Sequence, residues 1–537
     1  MIDNSSSMAD KHALLASSIP RLISRLAAPR CLDASGAPTA KNFPCDAGSK
    51  PEFAPVTDLH VGVITSSLGA HGGELCSESD TTFNPEQNDH GRLLGSVRQG
   101  LPSQDGLGFL AWAPGTIEAP SELIASTVQH INAVGEVGCA YEAQLESWYR
   151  FLVDPQPPDS VKREGSFSVV PSCQTEGADC GTNGVCVSGF CADKTVLSQR
   201  KAFLRGDSAV AIVMLTDEND CSIADEGQGW LIGNVGRLPR STSACATNPD
   251  DPCCSSCAAG PPSGCAPHAS DPECQKNDGV YADQEDHLSL RCWEQKRRYG
   301  FDFLHPVSRY VSGLKSSSIV NRGGDSVPNP LYSGNGVSRD LNSVVLAGVV
   351  GVPWQLIATQ GSSAAPDTLE FLPAREIEWS KITRSGEQPP SDPHMIESTE
   401  PRAGLPTWTT PNVDPIHGHD WDIGAVSGGS GAGVLQYACI FPRVQPRDCS
   451  LASGQCDCHP GLTSNSPVCW NGAEYTSQES SSKAYPSLRQ LEVLRETDGV
   501  VASICAKTVS GDPNSSAYGY NAAADAVVAR LSGMLGR

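Results

Sequence analysis

The chain has no surplus of positive charge: 38 Lys and Arg stand against 61 Asp and Glu, for a formal net charge of −23. Nucleic-acid phosphates need a basic stripe, so a nucleic-acid partner is excluded, as is an electrostatic anchor on anionic lipid. Long apolar runs are also missing. The longest candidate, residues 344–354, is interrupted by Gly348, Gly351 and Pro353. It falls short of the roughly eighteen residues of a membrane helix, so no transmembrane segment is expected. Charged residues make up only 18%. No H-E-x-x-H, no G-K-[ST] phosphate loop and no repeat of fixed period is present. The turn Gly428-Gly429-Ser430-Gly431 is followed by Ala432 and is no nucleophile elbow. The first residues, Met1-Ile2-Asp3-Asn4-Ser5, lack the basic and apolar regions of a signal peptide.

Cysteine, glycine and proline are abundant: 22 Cys, 52 Gly and 40 Pro in 537 residues. The even cysteine count, concentrated in Gly/Pro/Asn-rich stretches, points to disulfide-stapled loops in an oxidising compartment. An extracytoplasmic protein (secreted, periplasmic or on the cell surface) is therefore expected.

Hydrophobic periodicity predicts helices over 9–26 (with Pro20 inside), 121–133, 141–152, within 288–314 (interrupted at Pro306), 485–495 and 522–535. Strands are expected at 58–68, 108–112, 208–216, 343–352 and 499–504. The run Ser208-Ala-Val-Ala-Ile-Val-Met-Leu-Thr216 is nearly continuously apolar, as a central parallel strand should be. Alternating strands and helices predict an α/β fold with a doubly wound, mainly parallel sheet and long disulfide-rich insertions. The core is read as about 1–68, 108–153, 195–220, 287–359 and 484–537 of one discontinuous domain. The insertions are 69–107, 154–194, 221–286 and 360–483. In the second, CGTNGVC-VSGFC has the spacing of a small two-disulfide knot.

Asp3-Asn4-Ser5-Ser6-Ser7 reads D-x-S-x-S just before the first helix, and Thr216-Asp217 ends the clearest strand. Ligands of open α/β sheets bind beyond strand carboxyl ends. Hydroxyls and carboxylates meeting there suit a hard cation such as Mg²⁺. The bland alternative is that Asp3, Ser5 and Ser7 merely cap a helix.

MIDNSSSM and VMLTD resemble the first and last motifs of the von Willebrand factor A (integrin-I-like) family. With RYGFDFLHPVSRYV, YPSLRQLEVL and GVVASIC, the chain resembles large, cysteine-rich, secreted bacterial members of it. The resemblance implies a Rossmann-like fold and a metal-ion-dependent adhesion site. Ser5 and Ser7 would contact Mg²⁺ (or Ca²⁺ or Mn²⁺) directly, while Asp3 and Asp217 would hold it directly or through water. The function implied is binding, not catalysis: a carboxylate of a partner protein completes the coordination. The family's third loop supplies a Thr where this chain has Cys139. Glu142, one turn on, is the substitute oxygen ligand, or Cys139 forms a disulfide with Cys221 that ties two loops of the site. The resemblance also implies that strand one and an export signal lie upstream of Met1.

Other groups carry weaker signals. Glu218 and Asp220 read as a solvated acidic loop. His417 and His419, as H-x-H with His394 upstream, form an alternative metal cluster that would suit an exported metal-dependent hydrolase, set against a plain polar loop. Cys253, Cys254 and Cys257, with Cys265 and His268, hint at zinc but read better as disulfides. A disulfide-stapled surface scaffold with a degenerate metal site is the remaining alternative.

Overall fold

The computed structural model describes residues 1–113, 120–283, 285–334, 337–386, 388–409, 413–423, 434–450, 456–458 and 465–535. The turn at 428–431 lies outside them. The chain is a mixed α/β structure of several small sheets. Its strands include β1 (Leu59–Val61), β2 (Leu110–Trp112), β3 (Val210–Leu215), β4 (Val344–Val350), β5 (Cys439–Asp448), β6 (Gln478–Ala484) and β7 (Val500–Ser503). Its longer helices include α1 (Ala9–Ala27), α2 (Pro120–Asn132), α3 (Gln144–Leu152), α4 (Val307–Lys315), α5 (Leu488–Glu496) and α6 (Asn521–Leu535).

The three parallel strands β3, β4 and β7 are the apolar, β-branched runs that sequence marks as buried. Val210 pairs with Val344 through to Leu215 with Val349, and Ala347 through Val350 pair with Val500 through Ser503. Ile2 bridges in parallel to both Leu215 and Thr65, and β1 pairs antiparallel with β2. Side chains alternate across a strand, and β4 is covered on both faces. Val345 and Ala347 pack with Val527, Val528 and Leu531 of α6. On the other side, a Cβ added to Gly348 would meet Leu494 of α5 at 2.6 Å, so the helix packs closely over this glycine. Helix α1 packs on α2 and α6 through a stripe that includes Leu14, Ile19, Ile23 and Leu26. Pro20 lies inside α1 without ending it. Between β1 and β3, ahead of Ile2, lies an apolar cavity of about 430 Å³ lined by Met1, Val61, Val63, Ile212 and Val213, among others.

Helix lies within 288–314 and is interrupted at Pro306, as expected: Gln295–Tyr299 is a short helix bounded by left-handed Glu294 and Gly300, and α4 starts after Pro306. Within the 360–483 insertion β5 and β6 form a long antiparallel pair. Pro442 and Pro446 in β5 and the polar QESSSKA of β6 hide that pair from a periodicity reading.

All 22 cysteines are paired in eleven disulfides, the pattern of an oxidising, extracytoplasmic compartment. The knot is formed by Cys173–Cys186 and Cys180–Cys191. Cys253, Cys254 and Cys257 bond to Cys265, Cys245 and Cys274, which leaves no thiolate for zinc. Among the described residues no helix is long and apolar enough to cross a membrane.

Candidate functional site

Three loops meet at the carboxyl ends of the strands. The Asp3–Ser7 loop follows Ile2, residues 65–68 follow β1, and residues 216–220 follow β3. Asp3 is fully buried. Its Oδ1 accepts the Ser5 N–H at 2.8 Å and the Ser66 hydroxyl at 3.3 Å, and its Oδ2 accepts the Thr216 hydroxyl at 2.7 Å. The Ser5 and Ser7 hydroxyls lie 3.3 Å apart, and Ser7 Oγ donates to Asp217 Oδ1 at 3.1 Å. Thus Asp3, Ser5, Ser7 and Asp217 converge. They do not cap the helix, because the residue before α1 is Met8 and no side chain caps it.

The third loop is tied in by its backbone. Gly138 N–H donates to the Asn4 carbonyl at 2.9 Å, Cys139 N–H to Ser67 Oγ at 2.9 Å, and Ser67 Oγ to Asn4 Oδ1 at 2.8 Å. Gly138 is required there, since a Cβ would meet Asn4 Oδ1 at 2.4 Å. Cys139 is not bonded to Cys221. It pairs with Cys76, and Cys221 pairs with Cys292. Cys221 is instead linked to the third loop by its N–H, which donates to the Glu142 carbonyl at 2.8 Å. With its sulfur in a disulfide, Cys139 offers no ligand; the loop's buried carboxyl is Glu142, which feels the charges of Asp3 and Asp217.

The electrostatics of the cluster are lopsided. Burial, then the neighbouring Asp217, pushes the Asp3 carboxyl up to about 6. Burial raises Glu142 well above the carboxylate range, reinforced by Asp3, Glu218 and Asp217. Burial and Asp217 do the same to Glu218. The positive group bonded directly to Asp217 is Lys11 on α1, which is 1% exposed. Its Nζ lies 3.0 Å from Asp217 Oδ2 and donates to the Ser7 carbonyl at 2.9 Å. Burial opposes that ammonium, but Asp10 and Asp217 outweigh it and hold its pKa above the ordinary lysine value. Lys483, whose charge acts on Glu218 more strongly than that of Lys11, is paired with Asp457 at 2.5 Å.

Glu218 and Asp220 are not a solvated loop. Asp220 is 1% exposed and accepts the Leu145 N–H, the Ser222 hydroxyl and Arg489. A second acidic group nearby is balanced instead. Glu146, Asp154 and Asp225 are matched by Arg150, Arg309 and Arg322, with Glu146–Arg309 at 3.0 Å and Asp225–Arg150 at 2.9 Å. Three carboxylates against three guanidiniums form a structural network that needs no added cation.

Glu397 lies over the 216–220 loop, accepting from Asn219 Nδ2 at 2.8 Å with Arg384 at 3.7 Å. Burial, against Arg384 and Asn219, pushes its carboxyl from 4.5 to about 7. The folded state then holds this proton between those values while the unfolded chain releases it. Stability from this group therefore falls as pH rises from 4.5 to 7, by roughly 3 kcal/mol at most. Glu397→Gln is expected to raise the urea midpoint at pH 8 and to leave it nearly unchanged at pH 5. A difference independent of pH between the two denaturation curves would refute the assignment.

The histidine cluster is rearranged. His394 and His417 meet, but His419 turns away to the Asn465 carbonyl at 2.9 Å and the Tyr475 hydroxyl at 3.3 Å. The H-x-H pair therefore does not present both rings to one side, because residues 413–420 form a tight turn and not a strand. No family model, no curated protein and no solved structure matches this chain.

Proposed function

We propose that the chain is a von Willebrand factor A-like domain that binds a partner protein through a divalent cation. Mg²⁺ is the expected ion, with Ca²⁺ and Mn²⁺ as its substitutes. Ser5 and Ser7 are the direct hydroxyl ligands. Asp3, whose oxygens already accept three hydrogen bonds, acts through water. Asp217 and Glu142 complete the oxygen set, and the open position takes a carboxylate of the partner. The observation that carries the reading is the meeting of the Asp3 and Asp217 carboxylates with the Ser5 and Ser7 hydroxyls at hydrogen-bond distance beyond the strand ends, where the raised carboxyls of Asp3, Glu142 and Glu218 hold protons that a divalent cation would displace. A second support is that Ile2 bridges both Leu215 and Thr65, beside the parallel strands β3, β4 and β7 with helices on both faces of β4, an arrangement compatible with the doubly wound sheet proposed. A cleft of about 740 Å³ beside Gly138 and Ala140 supplies a concave rim on which the insertions would select the partner.

The test is thermal melting in EDTA against millimolar Mg²⁺. Saturation at a hundred times Kd is worth about 2.7 kcal/mol, so Mg²⁺ raises Tm in the native protein and not in Asp217→Asn. No shift with Mg²⁺, Ca²⁺ or Mn²⁺ would leave the second reading: a disulfide-stapled surface scaffold with a degenerate site. Two features favour that reading, namely Lys11 already bonded to Asp217 and Cys139 locked to Cys76.

A further inference from the structure

We propose that His394, Asp414 and His417 form a second metal site, built for Zn²⁺ and separate from the oxygen-lined cluster. His394 Nε2 lies 3.3 Å from Asp414 Oδ2, and His417 Nδ1 lies 3.4 Å from Asp414 Oδ1. One ligand atom from each of the three falls within 4.8 Å of the others. Zinc bonds of about 2.0–2.1 Å in a tetrahedron place neighbouring ligand atoms about 3.3–3.4 Å apart; each histidine nitrogen lies at that distance from one oxygen of the Asp414 carboxylate, His394 from Oδ2 and His417 from Oδ1, so small side-chain adjustments would bring the three onto one ion. The rings stand nearly perpendicular, at 86°, so they converge on the carboxylate and do not stack.

The surroundings carry the argument further. A metal-bound histidine ordinarily has its other ring nitrogen held by a carboxylate. Both histidines do: His394 Nδ1 is 2.8 Å from Asp392 Oδ1, and His417 Nε2 is 3.0 Å from Asp420 Oδ1. Asp420 is in turn clamped by Arg402, itself buried, which also donates to the carbonyls of His394 and Tyr437. With Nε2 engaged by Asp420, the nitrogen of His417 left to serve the site is Nδ1. That atom is buried, has no hydrogen-bond partner and points at Asp414. Gly418, at φ +82°, closes the turn that brings Asp414 and His417 together through reciprocal hydrogen bonds of 2.9 Å between residues 414 and 418. Three protein ligands leave a fourth position for water, the arrangement of reactive zinc sites.

The experiment is Zn²⁺ titration of the full, disulfide-bonded chain after EDTA treatment and removal of the chelator, followed calorimetrically and repeated with Co²⁺ for its visible absorption. One equivalent is expected to bind. Affinity should fall at least tenfold in Asp414→Asn and in His417→Gln, and stay unchanged in His419→Gln and in Asp217→Asn. The last variant separates this site from the Mg²⁺ reading, so the two stand or fall independently. Melting curves of each variant show that the fold survives, and Asp414→Asn keeps an acceptor for the turn. Folded protein that binds no Zn²⁺, or binds it equally well in Asp414→Asn and His417→Gln, would overturn the proposal. The trio would then be a metal-free polar cluster in which His394 bridges Asp392 and Asp414.

Discussion

Lys11→Met is expected to convert the chain into one whose stability depends on a divalent cation. The side chain is 1% exposed and has Asp217 at 3.0 Å, the Ser7 carbonyl at 2.9 Å and Asp10 at 3.6 Å. Removing one partner of a buried ion pair costs about 3–5 kcal/mol, because the other charge is left uncompensated. Here the loss is compounded, since Asp217 shares its surroundings with Asp3, Glu142 and Glu218. Methionine fills the lysine's volume closely, so packing of α1 against Phe441 and its neighbours should persist. In EDTA the variant should therefore melt well below the native protein. With millimolar Mg²⁺ most of that gap should close, and the Mg²⁺-induced shift should exceed that of the native chain, where Lys11 already supplies one positive charge. An equal deficit with and without Mg²⁺ would show that the ammonium is a fixed counter-ion and that no cation position exists. The measurement thus separates the adhesion reading from the scaffold reading more sharply than melting of the native protein does.

The convergence of Asp3, Ser5, Ser7 and Asp217 was legible because these residues sit on short motifs. Asp3, Ser5 and Ser7 are within five residues, and Asp217 follows a strand whose β-branched run announces it. Lys11 belongs to no motif, although it stands one helical turn past Ser7, where its ammonium reaches back to the Ser7 carbonyl. The disulfide partners were not legible. Cys76, Cys139, Cys221 and Cys292 lie on loops whose proximity is decided by how the strands order themselves, not by spacing. The same holds for Asp414. It is a lone carboxylate in a polar segment, and only the turn closed at Gly418 shows that it, and not His419, faces His394 and His417. The fold was legible where burial on both faces produces continuous apolar runs, as in β3 and β4. It was illegible where disulfides replace a core. Cys439–Cys505 anchors β5, whose two prolines would otherwise argue against a strand.

A chain carrying four apolar β-branched residues ahead of Met1 is expected to be more stable than the chain that starts at Met1. Met1 and Ile2 already run as a strand between two neighbours. Met1 N donates to the Val213 carbonyl at 2.8 Å, Ile2 N–H to Ile64 at 2.9 Å, and Leu215 N–H to Met1 at 3.1 Å. Continued backwards, that strand would pass through the apolar cavity of about 430 Å³ alongside Val210–Leu215. Four residues span about 13 Å at 3.3 Å each. Burying four such side chains is worth roughly 2 kcal/mol each, against roughly 1.5 kcal/mol of ordering entropy per residue. Ladder hydrogen bonds add about 1 kcal/mol apiece. The buried ammonium of Met1 would become an amide N–H that keeps the Val213 bond without carrying a charge into an apolar site. A net gain of about 3–5 kcal/mol follows, a rise of only about 3–5 °C in a chain of this size because Tm scales with the entropy of unfolding. Four Gly/Ser residues at the same place should give little of it. Equal melting temperatures for the apolar and the Gly/Ser extensions would show that the cavity is a packing defect and not the seat of a strand.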